Sequence, residues 1–582
     1  MTNNNHKFTK KPEHNRPAHH AAKANDNYKS GKGASANNTS VNSKSTSGKS
    51  ANTASVNSKS TSGKSANTAY ANNKPTSGKS ANNTSAYSKS TSGKSVNTAS
   101  ASNKSANSKT QKKMSHKNPR VTDRHTAEEV HTGDRIVVTI KRLGINGEGV
   151  GYYRRKAVFI EGALPNEVIK AQVTRVENKF IAAEMKQIEK RSPYRVDAPC
   201  PVFGICGGCQ IQHMSYEGQL AAKEDILREA FSRYSGIEDV RMKPILGMEH
   251  PWGYRNKAQL QLGMQQEGII AGLYAADSHK LIDITGCPIQ HPKINDAVDK
   301  TRNVLQQLQI PIYKDKSGHG FVRTIVARWG FQSEQLQITL ITTSDKLPRR
   351  EELIQELRSV IPELTSIALN VNPKNTSLIF GNKTVVLWGA DSIQESLGDL
   401  EFTLSPRAFF QLNPLQTVKL YESVRMAAGL TGRETVVDAY CGTGTIGLWL
   451  APYAGQVRGI ESIPEAVEDA QANAGRNGRA NATFYEGYAE ELLPRWVKSG
   501  FSPDVIIADP PRTGLDPRFI EAVLRTKPKR FVYVSCNPST LAKDCKSLLD
   551  GGYSIEWVQP VDMFPQTSHV ECTVLLKLKG QE

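Results

Sequence analysis

Between residues 131 and 191 the chain alternates apolar and polar positions in short runs. "DRIVVTIKRLGINGEGVGYY", "KAVFIEGALPNEVIKAQVTRV" and "FIAAEMKQIEK" change character almost every residue and break at Gly- and Asn-rich turns, the mark of half-buried strands. Five or so strands in so short a stretch predict a small barrel of the oligonucleotide-binding type. From residue 192 to 403 the periods are mixed, with a strand around "KAQLQLGM" and helices over about Lys293–Leu308 and Arg349–Val360. From 404 onward, strands and helices alternate. "TVVDAYCG", "QVRGIESI", "ATFYEGY", "DVIIADPP" and "RFVYVSCN" read as strands with loops at their C-terminal ends, and "CTVLLKLK" closes the chain as a further strand. That alternation predicts a parallel, Rossmann-like α/β sheet. The expected organisation is multidomain, with an OB-like barrel over 126–191, an α+β central domain over 192–403 and an α/β domain over 404–582.

Residues 1–125 follow neither period. They are mostly Ser, Asn, Thr, Lys, Ala and Gly, and a block recurs every 15 residues with its glycine at Gly48, Gly63, Gly78 and Gly93. Such a segment buries too little apolar surface to offset ordering entropy, so a disordered leader is expected. Its repeated G-K-S is not a phosphate loop, because Ser43 stands where that loop needs glycine and no strand precedes it. Two readings remain: a solvated leader, or a polycationic arm that raises affinity for RNA phosphates in a salt-dependent way.

Charge sharpens this division. The leader holds 22 Lys plus Arg against three acids (Glu13, Asp26, Asp123), a surplus equal to the net +19 of all 582 residues. The rest is formally neutral, so an argument from pI to nucleic acid applies to the leader alone. Within that neutral part the barrel is locally basic, with 13 Lys plus Arg against 7 acids over 131–195. It reads as an RNA platform or as a plain structural domain. No run of about eighteen apolar residues spans a membrane, and no apolar run follows the basic N-terminus as in a secretory signal. Eight unevenly spaced cysteines do not form a disulfide framework. A cytoplasmic protein is expected, with no membrane and no obligate protein partner.

Chemistry concentrates in the last domain. The strand Thr435–Asp438 runs into Tyr440-Cys441-Gly442-Thr443-Gly444-Thr445-Ile446-Gly447 and a helical stretch. These glycines let backbone turn tightly against a ligand. Nineteen residues after Gly442, Glu461 ends the next strand, where a carboxylate accepts hydrogen bonds from ribose hydroxyls. That much suits a nicotinamide enzyme as well as a methyltransferase. Asp509-Pro510-Pro511-Arg512 at the end of the fourth strand tips the reading, since in methyltransferases of this fold an acid and two prolines there shape the floor between donor and acceptor.

Ser535-Cys536-Asn537-Pro538 puts a cysteine at a strand end just before a helix starting near Ser539. Amides at a helix start lower a thiol's pKa, which makes Cys536 the candidate nucleophile. His569-Val570-Glu571 offers a base before the last strand, with Glu571 preferred to His569. Cys441, Cys545 and Cys572 are expected to be core or supporting residues. In the central domain, Cys200, Cys206 and Cys209 form C-x5-C-x2-C, and Cys287 follows. Four thiolates suit an iron–sulfur cluster; zinc, with His213 competing for one position, is the alternative. Spacing does not separate the two.

Together "VVDAYCGTGTIGL", "SPRAFFQLNP", "DPPRTGLD", "VYVSCNPSTLAKD" and "FPQTSHVECTVLL" resemble the bacterial RNA uracil-5-methyltransferases. The nearest likeness is to the 23S rRNA (uracil-5-)-methyltransferases, which carry an N-terminal TRAM barrel and a [4Fe-4S] cluster. The resemblance covers about residues 130–582. It implies S-adenosylmethionine-dependent methylation of C5 of a uridine, with Cys536 as nucleophile and Glu571 as acceptor of the C5 proton. It implies methyl-donor contacts from Gln411, Tyr440, Glu461 and Asp509, with Tyr440 where phenylalanine is common. It assigns Cys200, Cys206, Cys209 and Cys287 to the cluster, for which a structural role is expected, and it names RNA, foremost 23S rRNA, as partner. Relatives acting on tRNA in many bacteria lack barrel and cluster, which favours the ribosomal substrate. The alternatives are a tRNA uracil-5-methyltransferase, a non-catalytic RNA-binding protein and, more distantly, a nicotinamide oxidoreductase. The leader has no counterpart in the family pattern.

Overall fold

The structure, a computed structural model, describes residues 129–580 apart from 267, 277, 315–316 and 374–377. The leader expected over 1–125 lies outside the described residues. The first described unit is a closed barrel of β1 (Arg135–Leu143), β2 (Gly149–Tyr153), β3 (Lys156–Ile160), β4 (Val168–Val176) and β5 (Phe180–Lys190), joined in the order β1-β2-β3-β5-β4. Strict alternation along β1 sends Ile136, Val138 and Ile140 inward, where Val158, Ile169 and Ile181 meet them. Gly151 is required where β2 crosses β1, because a Cβ there would stand 2.3 Å from Val138 Cγ1 and 2.6 Å from the Thr139 carbonyl. Arg195 pairs with the fully buried Glu167 at 2.5 Å, fastening the barrel to the chain that follows it.

The central sequence divides its allegiance. The helix α1 (Tyr216–Ser235) packs Leu227 and Phe231 into the same core as Leu541 and Leu548 of the last domain. It is held there by Lys223, whose ammonium lies 2.5 Å from Asp562 with both side chains fully buried. Beyond it come β6 (Lys257–Gln265), β7 (Gly268–Tyr274), β8 (Leu281–Asp283), α2 (Pro292–Gln307), β9 (Val322–Trp329), β10 (Leu336–Thr342), α3 (Arg350–Val360), β11 (Leu364–Val371) and β12 (Lys383–Gly389). Their strands form a seven-stranded sheet in the order β12-β11-β10-β9-β6-β7-β8. One face is apolar, with Leu260, Ile325, Ile338 and Leu369 packed in a core that includes Ile294 and Val298 of α2 and Leu353 of α3. By alternation the other face carries Lys257, Gln259, Arg328, Gln337 and Thr339.

A hairpin of β13 (Ile393–Leu397) and β14 (Leu400–Leu404) leads to α4 (Pro414–Ala428) and the last sheet. Its elements are β15 (Thr435–Ala439), α5 (Thr445–Leu450), β16 (Gln456–Glu461), α6 (Pro464–Arg476), β17 (Ala482–Glu486), α7 (Ala489–Lys498), β18 (Val505–Ala508), α8 (Pro517–Thr526), β19 (Arg530–Ser535), α9 (Pro538–Asp550), β20 (Tyr553–Val561) and β21 (Glu571–Leu578). The strand order is β17-β16-β15-β18-β19-β21-β20. The first five strands are parallel, as the alternation predicts, whereas β21 runs antiparallel between β19 and β20. Parallel bridges from Met242 to Val558 and from Leu246 to Val561 extend that edge with chain from the central segment. Among the described residues no helix is long and apolar enough to cross a membrane.

Candidate active site

The parallel strands end at one rim, and the residues singled out in the last domain gather there. After β15 the chain turns through Tyr440, Gly442 and Gly444 with φ of 63°, 54° and 81° before entering α5. Glycine suits two of these positions, and Tyr440 holds a left-handed backbone that a bulky residue seldom adopts. Its ring packs edge-on to Phe519, with centroids 5.5 Å apart. A Cβ on Gly444 would sit 2.7 Å from Phe484, whereas one on Gly442 would meet nothing within 4 Å, so the loop is packed beneath and open above. Glu461, at the end of β16, accepts the Gly442 amide at 3.1 Å and the Ser462 and Ile463 amides at 2.7 and 2.9 Å. Asp438 accepts the Gly447 amide on Oδ2 at 2.8 Å, while its buried Oδ1 has no partner. Burial, with Asp509 and Glu461 nearby, pushes the Asp438 carboxyl up to about 8. Gln411 lies in the loop before α4, its carbonyl accepting Asn256 Nδ2 at 2.9 Å.

The nucleophile and base candidates meet through strand register. Ser535 of β19 is paired with Cys572 of the antiparallel β21, so Cys536 and Glu571, one step on from each, are neighbours across the pair. Asp509 follows β18, the strand on the other side of β19. Burial pushes Asp509 up to about 7, and burial with Asp509 beside it pushes Glu571 up to about 8. His569 is pushed down to about 4 by burial and by the cations Arg512, Lys223 and Arg255, so it is neutral at pH 7.

The Cys536 thiol contradicts one expectation. Burial, then Glu571 and Asp509, push it up to about 12, against the opposing pull of Arg512. The helix start does not lower it, for a local reason. The first residue of α9, Pro538, has no amide proton, and the Ser539 amide is taken by the Asn537 side chain at 3.1 Å. Arg512 is the residue whose role sequence reasoning passed over. Its guanidinium reaches His569 Nε2 at 3.4 Å and acts on both Cys536 and Glu571. Its position directly after the Asp-Pro-Pro run was the available signal. Cys441, Cys545 and Cys572 are buried, as expected of core residues.

The four central cysteines share a neighbourhood. Cys206 feels Cys287 and Cys200, and Cys209 feels Cys287 and Cys206. Burial pushes Cys209 up to about 12. Among the described residues, however, no three His, Cys, Asp or Glu side chains form a group that could hold a metal ion. His213 packs on Phe203, and its Nε2 faces the Gly162 carbonyl at 3.1 Å.

Residues 215–579 match the tRNA (uracil-5-)-methyltransferase family, and residues 129–186 match the TRAM domain. An RNA methyltransferase of Bacillus cereus, described as uncharacterized, is 53% identical over 78% of this chain and 98% of its own length. A second, from Halalkalibacterium halodurans, is 49% identical over 79% of this chain and 100% of its own. Among solved structures, the tRNA (uracil-54, C5)-methyltransferase of Pyrococcus abyssi, in complex with S-adenosyl-L-homocysteine, superposes with a TM-score of 0.60. It is 28% identical, over 76% of this chain and 100% of the other. The chain belongs to the tRNA (uracil-5-)-methyltransferase family, with a TRAM barrel ahead of the methyltransferase sheet.

Proposed function

We propose that the protein methylates C5 of a uridine in a structured RNA, with Cys536 as nucleophile, Glu571 as proton acceptor and S-adenosylmethionine as methyl donor. The observation that carries this is the register of β19 on β21, which sets a thiol beside a buried carboxyl at the rim of a nucleotide-binding type of sheet. The open face above Gly442, the unpartnered Asp438 Oδ1 and the Glu461 carboxylate suit a nucleoside carrying a positive charge. Gln411, Tyr440, Glu461 and Asp509 are the proposed donor contacts. The donor supplies an electrophilic methyl group on a sulfonium.

Uracil C5 is too weakly nucleophilic to take that methyl unaided. Cys536 gives up its proton to solvent and its sulfur bonds to C6 while the C5–C6 π pair moves toward O4, which makes C5 an enolate carbon. The enolate pair forms the bond from C5 to the methyl as the methyl–sulfur bond of the donor breaks, leaving a neutral thioether. Glu571 then accepts the C5 proton, that electron pair re-forms the double bond, and the sulfur–C6 bond breaks to return the thiolate. A uridine in folded RNA leaves its stack to reach this rim.

For the substrate we put 23S rRNA first, on the motif resemblance and the four central cysteines. Transfer RNA is the second reading, favoured by one observation. The Pyrococcus tRNA enzyme matches more of this chain than residues 215–579 alone, so a barrel does not by itself mark a ribosomal enzyme. The test is transfer from labelled S-adenosylmethionine to unmodified 23S rRNA and tRNA transcripts. Label recovered as 5-methyluridine in 23S rRNA supports the first reading, label in tRNA alone replaces it with the second, and label in neither overturns both.

Cys200, Cys206, Cys209 and Cys287 are the proposed ligands of a [4Fe-4S] cluster, on residue type and their shared neighbourhood; a cluster spaces its thiolates more widely than one zinc does. Protein purified without oxygen is expected to contain iron and sulfide. Iron-free protein of full activity excludes a cluster role.

A further inference from the structure

The polar face of the central sheet gathers positive charge, with Glu395 as the acid that acts on Arg328. Lys257 of β6 stands opposite Arg328 of β9, and Arg328 stands opposite Gln337 of β10. Lys257 is 9% exposed and Arg328 3%. Among the described residues Lys257 has no hydrogen-bond or ion-pair partner. Arg328 donates one bond, from Nη2 to the Ala408 carbonyl at 2.5 Å, and its buried Nη1 has none. Arg255, two residues before Lys257, has a buried Nε with no partner, and so does Gln259 Nε2 one step along the same face. Burial and the two guanidinium groups hold the Lys257 ammonium well below the usual lysine range. The acid that acts on Arg328 is Glu395, whose oxygens already accept the amides of Phe331, Gln332 and Ser396 at 2.7, 3.1 and 3.0 Å.

Burying a cation without a partner opposes folding. Two buried cations with a half-buried third beside them, and donors left idle on Arg255, Gln259 and Arg328, make an arrangement suited to an anion. The position narrows which anion. Asn256, between Arg255 and Lys257, donates its side chain to the Gln411 carbonyl at 2.9 Å and its amide to the Leu412 carbonyl at 3.0 Å. Arg328 is tied to Ala408 of the same loop. The cations are therefore fastened to the segment carrying Gln411, and Arg255 is near enough to depress His569.

We propose that Arg255, Lys257 and Arg328 form a binding site for a phosphodiester group of the substrate RNA close to the uridine that enters the active site. This rests on the reading of the protein as an RNA methyltransferase. A phosphodiester matches the donor set, since guanidinium groups grip its oxygens in pairs and lysine adds a point charge.

The test uses the full chain and Lys257→Met. The transcript is whichever of 23S rRNA and tRNA the wild type binds more tightly, titrated over a range of salt, and thermal unfolding is followed in parallel. The expected result is an affinity lower by about tenfold or more, with the slope of log K against log salt reduced by about 1. Thermal stability should hold or rise, because an uncompensated charge has gone. Lys257→Arg should keep most of the affinity. Unchanged affinity and slope overturn the proposal. So does a Lys257→Met protein that unfolds, which would make the lysine a structural requirement. Cys536→Ala, run beside them, is expected to bind RNA like wild type. Activity surviving in that variant overturns the methylation mechanism and leaves the phosphate site to be judged on affinity alone.

Discussion

Cys536 is held in a form that does not attack by itself. A thiol pushed up to about 12 beside carboxyls at about 8 and about 7 keeps its proton at pH 7, and Glu571 largely keeps its own. A sulfonium that delivers its methyl to C5 stands close to Cys536, and its positive charge opposes the upward shift of the thiol. Glu571 must lose its proton before it can accept one. The kcat/KM of wild type is therefore expected to rise with pH through about 8. Glu571→Gln should lose about 10²–10⁴-fold in kcat and accumulate methylated enzyme–RNA adduct on a denaturing gel; turnover without adduct would assign the proton to another base. The folded carboxyl lies above its ordinary 4.5, so its contribution to stability is complete in acid and is lost as pH rises through about 8. Glu571→Gln, uncharged throughout, should gain thermal stability over wild type as pH rises from about 5 to about 9. Cys536 and Glu571 stand out in the sequence because each sits in a short motif. The direction of the thiol's shift does not, because it depends on Asn537 and Pro538 consuming the helix start and on acids brought in by other strands.

Helix α1 is the element that binds the halves of the fold together. It precedes the central sheet in sequence, yet it packs on α9 and holds the chain after β20 through the Lys223–Asp562 pair. That chain, from Asp562 to Val570, leads directly into Glu571, and its Ser568 hydroxyl donates to the Ile145 carbonyl at the barrel's β1–β2 turn at 2.9 Å. Lys223→Met leaves Asp562 buried without its partner and should cost about 3–5 kcal/mol in denaturant unfolding. Replacing both residues with apolar ones of similar volume should recover most of it; a double variant no better than the single one would mean the helix is held by something else. Period and turn chemistry made the barrel strands, α2, α3 and the parallel strands visible in the sequence. They did not mark β20 or the antiparallel course of β21, because hydrophobic period carries no strand direction. Nor did they show the cations of the central sheet, since Lys257 and Arg328 meet only through pairing of β6 with β9.

Across the whole molecule, charge and chemistry are separated. The surplus positive charge lies in residues 1–125, while the thiol, carboxyls and glycine loop lie beyond 404. If the leader acts as a cationic arm on RNA, a chain lacking residues 1–125 should show a shallower dependence of RNA affinity on salt and an unchanged kcat at saturating RNA. Equal salt slopes would leave the leader as a solvated extension. The most direct test of the account is whether Cys536 bonds to the uracil ring. The target transcript is prepared with 5-fluorouridine, whose C5 fluorine cannot leave as a proton does, and mixed with enzyme and S-adenosylmethionine. Wild type should form an RNA–protein adduct stable to denaturation, and Cys536→Ala should form none. An adduct that persists in Cys536→Ala, or its absence from a wild type that methylates ordinary uridine, would contradict the account.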